Sequence, residues 1–182
     1  MAQNPQKLIN FRVFNGSQTL IGMADAELPS LEAMTDTMQG AGIAGEIDVP
    51  ILGHYGSMEL KLSFHTTTKD ALALAKPEAH HIELRGSIQH HDPAEGKFGT
   101  KALKVVVKAI PKKLDIGKLA SASSMDTANE FECSYLKVWL EDKEWIEIDK
   151  HNFICVIDGV DYLASVKKDL GGASASGSVI GP

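Results

Sequence analysis

Apolar and polar residues alternate along several segments of the chain, a pattern typical of half-buried β-strands. The clearest segment runs from 58 to 65, and its apolar positions are Met58, Leu60, Leu62 and Phe64. Similar composition or alternation predicts further strands at 8–14, 81–89, 103–110, 131–140 and 145–157. The chain therefore reads as mainly β.

Turn residues separate these strands. Asn15-Gly16 and Asp158-Gly159 supply the positive φ angles of type I′ hairpin turns, and the first predicts a return strand over 19–28. We also predict a connection at 141–144, a turn at 90–99 and loops at 40–45 and 111–129.

Two segments favour helix to different degrees. Thr67-Thr68 can cap a helix of about three turns that Pro77 ends. Over 28–38, the spacing of Leu28, Leu31, Met34 and Met38 slightly favours a helix, although Pro29 and the threonines suit one poorly. The sum is about seven strands and one short helix, in an α+β or all-β barrel or sandwich.

The 182 residues are enough for one domain with its own core, or for two very small ones. We expect the domain to span 1–172 and a flexible, Gly/Ser-rich tail to follow at 173–182. No apolar run is long enough to span a membrane, and the N-terminus lacks the features of a secretory signal. In a chain of this kind, Cys133 and Cys155 are expected to be buried, reduced thiols.

Charge is distributed in blocks of one sign. The chain has 18 basic and 24 acidic residues, a net charge of −6, which excludes non-specific nucleic-acid binding as its general mode. From 13 to 60 there is no Lys or Arg but seven acids, whereas 97–118 holds seven lysines and one acid. Such blocks indicate surfaces with different electrical environments, unless the clustering arises by chance.

Motifs of catalysis are missing. The sequence has no phosphate loop, dinucleotide fingerprint, nucleophile elbow or zinc-ribbon spacing. The pairs His80-His81 and His90-His91 lie near opposite ends of one predicted strand, too far apart to share an ion. No two of the acids stand out as a hydrolase pair. We therefore predict no catalytic residue, no cofactor and no metal site.

A β-rich chain with long loops must protect the open edges of its sheets. Joining strands between subunits removes such edges, which favours a subunit that assembles. The main alternative from another class is a monomeric β-barrel that binds a ligand in an apolar cavity. A hydrolase or metalloenzyme ranks third.

An ordered series of motifs resembles the major tail tube proteins of contractile-tailed phages, over roughly residues 5 to 172. The series comprises Ile-Asn-Phe-Arg-Val-Phe-Asn-Gly at 9–16, Glu-Leu-Pro-Ser-Leu at 27–31, Gly-Ala-Gly-Ile-Ala-Gly-Glu-Ile-Asp-Val-Pro at 40–50, Arg-Gly-Ser-Ile-Gln at 85–89, Leu-Asp-Ile-Gly-Lys at 114–118, Ile-Glu-Ile-Asp at 146–149 and Ile-Asp-Gly-Val-Asp at 157–161. Their order across the chain, rather than any single motif, carries the resemblance.

The resemblance implies two packed antiparallel β-sheets in a barrel-like sandwich with a short flanking helix, and it makes 28–38 a strand of an inner barrel. It also implies homohexameric rings that stack into a tube inside a contractile sheath. The implied partners are the sheath, baseplate, tape-measure and terminator proteins, with double-stranded DNA passing through the lumen unbound and no stable membrane insertion. The implied location is a virion tail, assembled in the host cytoplasm. A tailocin, an injection device or a type VI secretion tube would share these features.

Two groups of residues become candidates within this picture. An acidic wall would not hold a polyanion that passes it, so the candidate lumen or ring-contact acids are Glu32, Asp36, Glu46 and Asp48. The candidate outer basic face, which would meet acidic sheath residues or the next ring, comprises Lys101, Lys104, Lys108 and Lys112. The loops at 40–50 and 111–129 are candidate contacts between rings.

Overall fold

A computed structural model describes residues 4–16, 18–20, 22–40 and 42–171. Within these ranges the chain forms twelve strands and two short helices. The strands are β1 (Asn4–Asn15), β2 (Gln18–Thr19), β3 (Met23–Glu27), β4 (Ala33–Met38), β5 (Ile47–Tyr55), β6 (Glu59–Phe64), β7 (His80–Asp92), β8 (Lys97–Asp115), β9 (Thr127–Leu140), β10 (Lys143–Asp149), β11 (Ile154–Ile157) and β12 (Val160–Asp161). The helices are α1 (Lys69–Ala73) and α2 (Ala164–Asp169). The predicted Gly/Ser tail at 173–182 lies outside the described residues.

Ten of the strands form one antiparallel sheet: eight follow the order β12-β11-β10-β9-β8-β7-β1-β2, and β6 and β3 branch from β9. Strand β9 is long enough to take two partners along one edge: β6 pairs with its first half and β10 with its second, while β8 follows the other edge. Strand β3 extends the β6 side. The remaining two strands, β4 and β5, form a separate sheet. This mainly β architecture of two sheets and short helices confirms the predicted fold class.

The alternation predicted at 58–65 is confirmed by burial. Leu60, Leu62 and Phe64 of β6 are fully buried, while the residues between them are not. The same period places Phe131 and Cys133 of β9 in one core, which also takes in residues of β1, β7, β8 and β10. One face of the large sheet thus surrounds a single hydrophobic core.

Helix α1 starts as predicted but is shorter. The Thr68 side chain accepts a hydrogen bond from the Ala71 backbone N–H at 3.1 Å, and the regular helix ends at Ala73 rather than extending to Pro77. Asn129, buried beneath it, donates to the Ala71 carbonyl at 3.1 Å and so fixes the helix to β9. The second helix, α2, was not predicted from the sequence.

Within 28–38 only residues 33–38 form a strand, so the strand implied for the whole segment is too long, and the helical spacing of its apolar residues was misleading. Strand β4 pairs with β5, from Ala33 opposite Tyr55 to Met38 opposite Ile47.

The hairpin predicted at Asp158-Gly159 is confirmed, because β11 pairs with β12. The hairpin predicted at Asn15-Gly16 is confirmed only in part: β1 pairs with β2 at Asn15 and Gln18, and Gly16 but not Asn15 has a positive φ. The predicted return strand over 19–28 is wrong beyond Thr19, because β3 pairs with β6 instead. Asp158 and Gly159 both have positive φ, as a type I′ turn requires.

The predicted loop at 111–129 is too long. Strand β8 continues to Asp115 and β9 begins at Thr127, so the connection spans only 116–126. The polar residues at the end of β8 are compatible with a strand because they form cross-strand ion pairs: Lys112 with Glu59, and Lys113 with Glu130. Strands β7 and β8 likewise shorten the predicted turn at 90–99 to 93–96.

The single strand predicted over 145–157 is a hairpin of β10 and β11. Its turn is closed by Asp149, which accepts hydrogen bonds from the backbone N–H groups of His151 and Asn152 at 2.9 and 3.0 Å and from the Asn152 side chain at 2.7 Å. Burial alone would raise the pKa of Asp149, but these hydrogen bonds outweigh it and hold the pKa below its usual 3.8.

Replacing Asp149 by asparagine should therefore destabilise the fold in a pH-dependent way. A carboxyl whose pKa is depressed by folding stabilises the fold above its unfolded pKa, and this stability is lost as the pH falls through the folded pKa. We expect Asp149→Asn to cost about 1–2 kcal/mol at pH 7, measured by urea unfolding. The difference in free energy of unfolding between the variant and the wild type should become smaller below pH 4. A difference that does not change with pH would show that the Asp149 carboxylate is not stabilised by folding.

Both cysteines are buried and free, which confirms the prediction of reduced thiols. Burial raises the pKa of Cys133 to about 12. This sulfur is therefore a protonated core side chain at neutral pH.

Candidate assembly surface

The β4–β5 hairpin is the most exposed regular structure of the described chain. Every residue of β4 is exposed, as are the first six residues of β5. A lone two-stranded hairpin is marginally stable in water. The hairpin is thus presented for contact rather than buried in the domain.

The register of the hairpin separates its two faces. Thr37 lies opposite Asp48 and donates to its carboxylate at 2.9 Å, so these side chains share a polar face. Asp36 pairs with Val49 and belongs to the other face. The register places Asp36, Met38, Ile47 and Val49 on that face, and alternation along β4 adds Met34, which lies at the register irregularity between Ala33 and Thr35. This surface is here called the apolar hairpin face, and its four large apolar residues are 36–52% exposed.

The base of the hairpin is anchored to the domain. The Gly56 backbone N–H donates to the Glu32 carbonyl at 2.9 Å. Gly53 has a φ of +68°, and a Cβ there would lie 2.5 Å from the side chain of Leu163, which precedes α2. Only glycine gives β5 this bend together with this close contact. The anchor sets the direction in which the hairpin leaves the domain.

The four candidate acids all lie on or beside this hairpin. Glu32 precedes β4 and Glu46 precedes β5, while Asp36 and Asp48 lie within the strands on opposite faces. All four are exposed, and within the described residues none forms an ion pair. The structure therefore brings the acids to one element but divides two of them between its faces.

Strand β1 offers an open edge and an apolar groove. Among the described residues, β1 has a second partner only near Phe14 and Asn15, so the edge over 4–12 carries no strand. Beside it lies a groove of about 170 Å³, where Leu8 and Leu28 are about half exposed. Its apolar lining includes Leu8, Phe11, Leu28, Leu84 and Leu103, with Asp25 and Arg85 also present.

The four candidate lysines do not share one free basic face. Lys104 and Lys108 lie on the face of β8 that points away from the core, whereas Lys101 alternates to the other face and pairs with Glu141 at 3.0 Å. Lys104 lies 3.6 Å from Glu83, and Lys112 pairs with Glu59. Lys108 forms no ion pair within the described residues.

The two lysines that point away from the core, Lys104 and Lys108, contact aromatic rings of β9 on this outer face. The Lys104 amine lies 4.9 Å from the Trp139 ring, and the Lys108 amine lies 5.4 Å from the Tyr135 ring. Burial, and then the hydrogen bond to Glu147, raises the pKa of Tyr135 to about 12. The outer face thus combines lysine amines, carboxylates and aromatic rings in contact with one another.

The histidine pairs have structural surroundings. His80 and His91 are at opposite ends of β7; His80 is buried with its Nε2 3.2 Å from the Lys76 carbonyl. His90 packs over Gly99, where a Cβ would lie 2.5 Å from the ring. No group of three or more candidate metal ligands occurs in the described part of the chain. No helix in the described ranges is long and apolar enough to cross a membrane.

The apolar hairpin face was not predicted from the sequence. Met34 and Met38 are four residues apart, a spacing that suits both a helix face and one side of a strand. Only the pairing with β5 shows that Ile47 and Val49 extend the same surface. The available signal was the alternation in Met-Thr-Asp-Thr-Met at 34–38, which puts both methionines on the side opposite the threonines.

Known proteins resemble this chain in sequence and in fold. The tail tube protein of Escherichia phage P2 is 28% identical over 172 residues, covering 92% of this chain and 98% of that protein. The fold resembles a sheath/tube terminator of the extracellular contractile injection system PVC, with a TM-score of 0.53, 13% identity and coverage of 76% and 99% of the two chains. For the tube-terminating cap of the anti-feeding prophage the TM-score is 0.49 and the identity 14%, and the match covers 77% of this chain and 93% of the cap chain. The family model for phage tail tube protein FII matches residues 5–171, and the chain therefore belongs to this family.

Proposed function

We propose that this chain assembles into homohexameric rings that stack into the inner tube of a contractile tail, which sheath contraction drives forward as a channel for DNA. As a tail tube protein, the chain is a structural component of a virion tail or phage-like particle and not an enzyme, as the sequence predicted. The observation that carries the assembly proposal is the exposed β4–β5 hairpin, with six large apolar residues uncovered in the monomer, four of them on the apolar hairpin face.

The placement of the acids indicates which face of the hairpin lines the lumen and which contacts another subunit. Asp48 lies on the polar hairpin face with Thr37, while Asp36 is surrounded by apolar residues. We assign Asp48 to the wall of the lumen, where carboxylates repel a polyanion and let it pass. Asp36 belongs instead to a subunit contact, because the apolar residues around it gain from burial. Glu32 and Glu46 are lumen or ring-contact acids at the hairpin ends.

The outer face of β8 is the proposed contact with the sheath. Lys104 and Lys108 project from it together with Trp139 and Tyr135, a combination of cations and rings suited to an acidic partner surface. Lys101 and Lys112 form closer intrachain ion pairs than the 3.6 Å pair of Lys104 with Glu83, and Lys108 forms none in the described structure, so Lys101 and Lys112 contribute less. The remaining partners implied by this function are baseplate, tape-measure and terminator proteins, with assembly in the host cytoplasm.

Electron microscopy of the purified chain at high concentration tests the proposal, with sedimentation and native mass spectrometry of the same sample. We expect rings of six copies with an axial pore, or stacks of such rings. A matching baseplate should nucleate tubes if the chain alone remains monomeric. A chain that stays monomeric beside its baseplate, or forms closed oligomers without a pore, would contradict the tube.

A further inference from the structure

We infer that the apolar hairpin face of one copy docks into the β1 groove of a second copy, a contact that specifies how the proposed tube assembles and so rests on that function. The two surfaces belong to the same chain but do not meet within it. Met38 and Ile47 of the hairpin remain about half exposed, and so do Leu8 and Leu28 of the groove. Other copies of the chain can supply the missing half of each surface, one neighbour covering the hairpin and another the groove.

The shapes of the two surfaces suit each other. The hairpin offers a two-stranded layer with four large apolar side chains on one side. The groove lies where the inner face of the large sheet continues past the core, beside the apolar side chains of Phe11 and Leu103. Layers of a sandwich pack apolar face to apolar face, so a partner's hairpin covers the groove as a second layer would.

Gly86 creates part of this groove. A Cβ at Gly86 would lie 2.9 Å from the Leu8 side chain, so the glycine lets Leu8 lie down against β7. Strand β1, next to it, has an unpaired edge over 4–12 in the described structure. An uncovered apolar surface beside an open strand edge is a common site of β-strand or hairpin addition.

The charges of the two surfaces are also complementary. Residues 28–56, which contain the hairpin, carry four acids and no Lys or Arg. Strand β1 carries Lys7 and Arg12 and no acid. Neither base forms an ion pair within the described residues. Opposite charge favours the pairing of a hairpin with β1 over the pairing of two hairpins, which would bring two acidic segments without any base together.

A charge placed on the apolar hairpin face tests the contact. Met38→Asp adds a carboxylate to that face without touching the core, since Met38 is exposed in the monomer. Thr35→Asp is the matched control, because Thr35 lies in the same strand on the polar face. We expect Met38→Asp to raise the concentration needed for assembly about tenfold or more and Thr35→Asp to change it less than about twofold. Both monomers should melt at the wild-type temperature.

Mixing two blocked variants makes the test independent of tube formation. Met38→Asp keeps an intact groove, and Leu8→Asp, which charges the groove, keeps an intact hairpin. Each should stay monomeric alone, and the mixture should give a one-to-one complex with a single intact contact, seen by native mass spectrometry.

Three results would overturn the docking. They are wild-type assembly by Met38→Asp, equal loss with Thr35→Asp, and a mixture that stays monomeric. If wild-type tubes persist in these cases, the tube function stands and only the docking fails. If the wild type never forms tubes but the one-to-one complex appears, the docking stands and the tube function fails.

Discussion

Replacing Phe131 by alanine should lower the free energy of unfolding by about 3–5 kcal/mol, the range for large aromatic deletions in a core. Phe131 is fully buried in the middle of β9. It lies opposite Leu60 of β6 and Pro111 of β8, and His80 packs edge-on against its ring with centroids 6.3 Å apart. The cavity would open where these strands meet, and little can collapse into it.

Urea unfolding of the monomer at pH 7 measures this loss. Phe98→Ala is the control, since Phe98 is 68% exposed near the tip of the β7–β8 hairpin. Its substitution should change stability by no more than about 0.5 kcal/mol. A similar cost at both positions would mean that the core does not centre on β9.

Replacing Gly117 by alanine should disrupt the 116–126 connection. Gly117 has a φ of +83°, and a Cβ there would lie 1.9 Å from the Met125 carbonyl oxygen. That carbonyl accepts a hydrogen bond from the Lys118 backbone N–H at 2.9 Å, and the Met125 backbone N–H donates to the His65 carbonyl oxygen. The added methyl group would therefore push apart a backbone contact that ties the connection to the end of β6. We expect a loss of about 2–3 kcal/mol.

Gly159→Ala separates the two causes of this loss. Gly159 also has a positive φ, +80°, but no atom lies within 4 Å of its Cβ position. It should cost only about 1 kcal/mol, for backbone strain. Thermal unfolding of both variants, with limited proteolysis at 116–126, gives the comparison. Equal losses would show that the clash with Met125 is relieved without cost.

Local patterns were sufficient to predict the strands whose two faces differ. Leu60, Leu62 and Phe64 face the core, and their polar neighbours do not, so alternation alone identified β6. The Asp158-Gly159 turn was equally local, because both positive φ angles are encoded in two residues. Where a strand or turn is determined by residues close together in the chain, the sequence is sufficient to predict it.

Features that depend on distant partners were not predictable. The end of β8 looked like a loop because Lys112 and Lys113 are polar, and only Glu59 and Glu130 on other strands show why they lie in a ladder. Asp149 ends β10 with hydrogen bonds to residues two and three positions on, a turn signal that the surrounding apolar run concealed.

The candidate assembly surface was likewise predictable only where its signal is local in the sequence. The absence of Lys and Arg around Asp36 and Asp48 was visible in the sequence and led to both residues. Their placement on opposite faces depends on the register of β4 against β5, which is set across an eight-residue connection. The apolar hairpin face arises from that register too, so it could not be read from either strand alone.

Strand β8 gives the domain a mechanical axis. It runs for 19 residues, roughly 60 Å, and its backbone pairs with β7 over the first part and with β9 over the last part. The two ladders overlap between Leu103 and Ala109, so no cross-section of the strand is without a paired neighbour. Force applied along β8 loads these hydrogen bonds in shear, where many must break together, instead of one at a time as in peeling. The domain is consequently stiffest along one direction and more compliant across it.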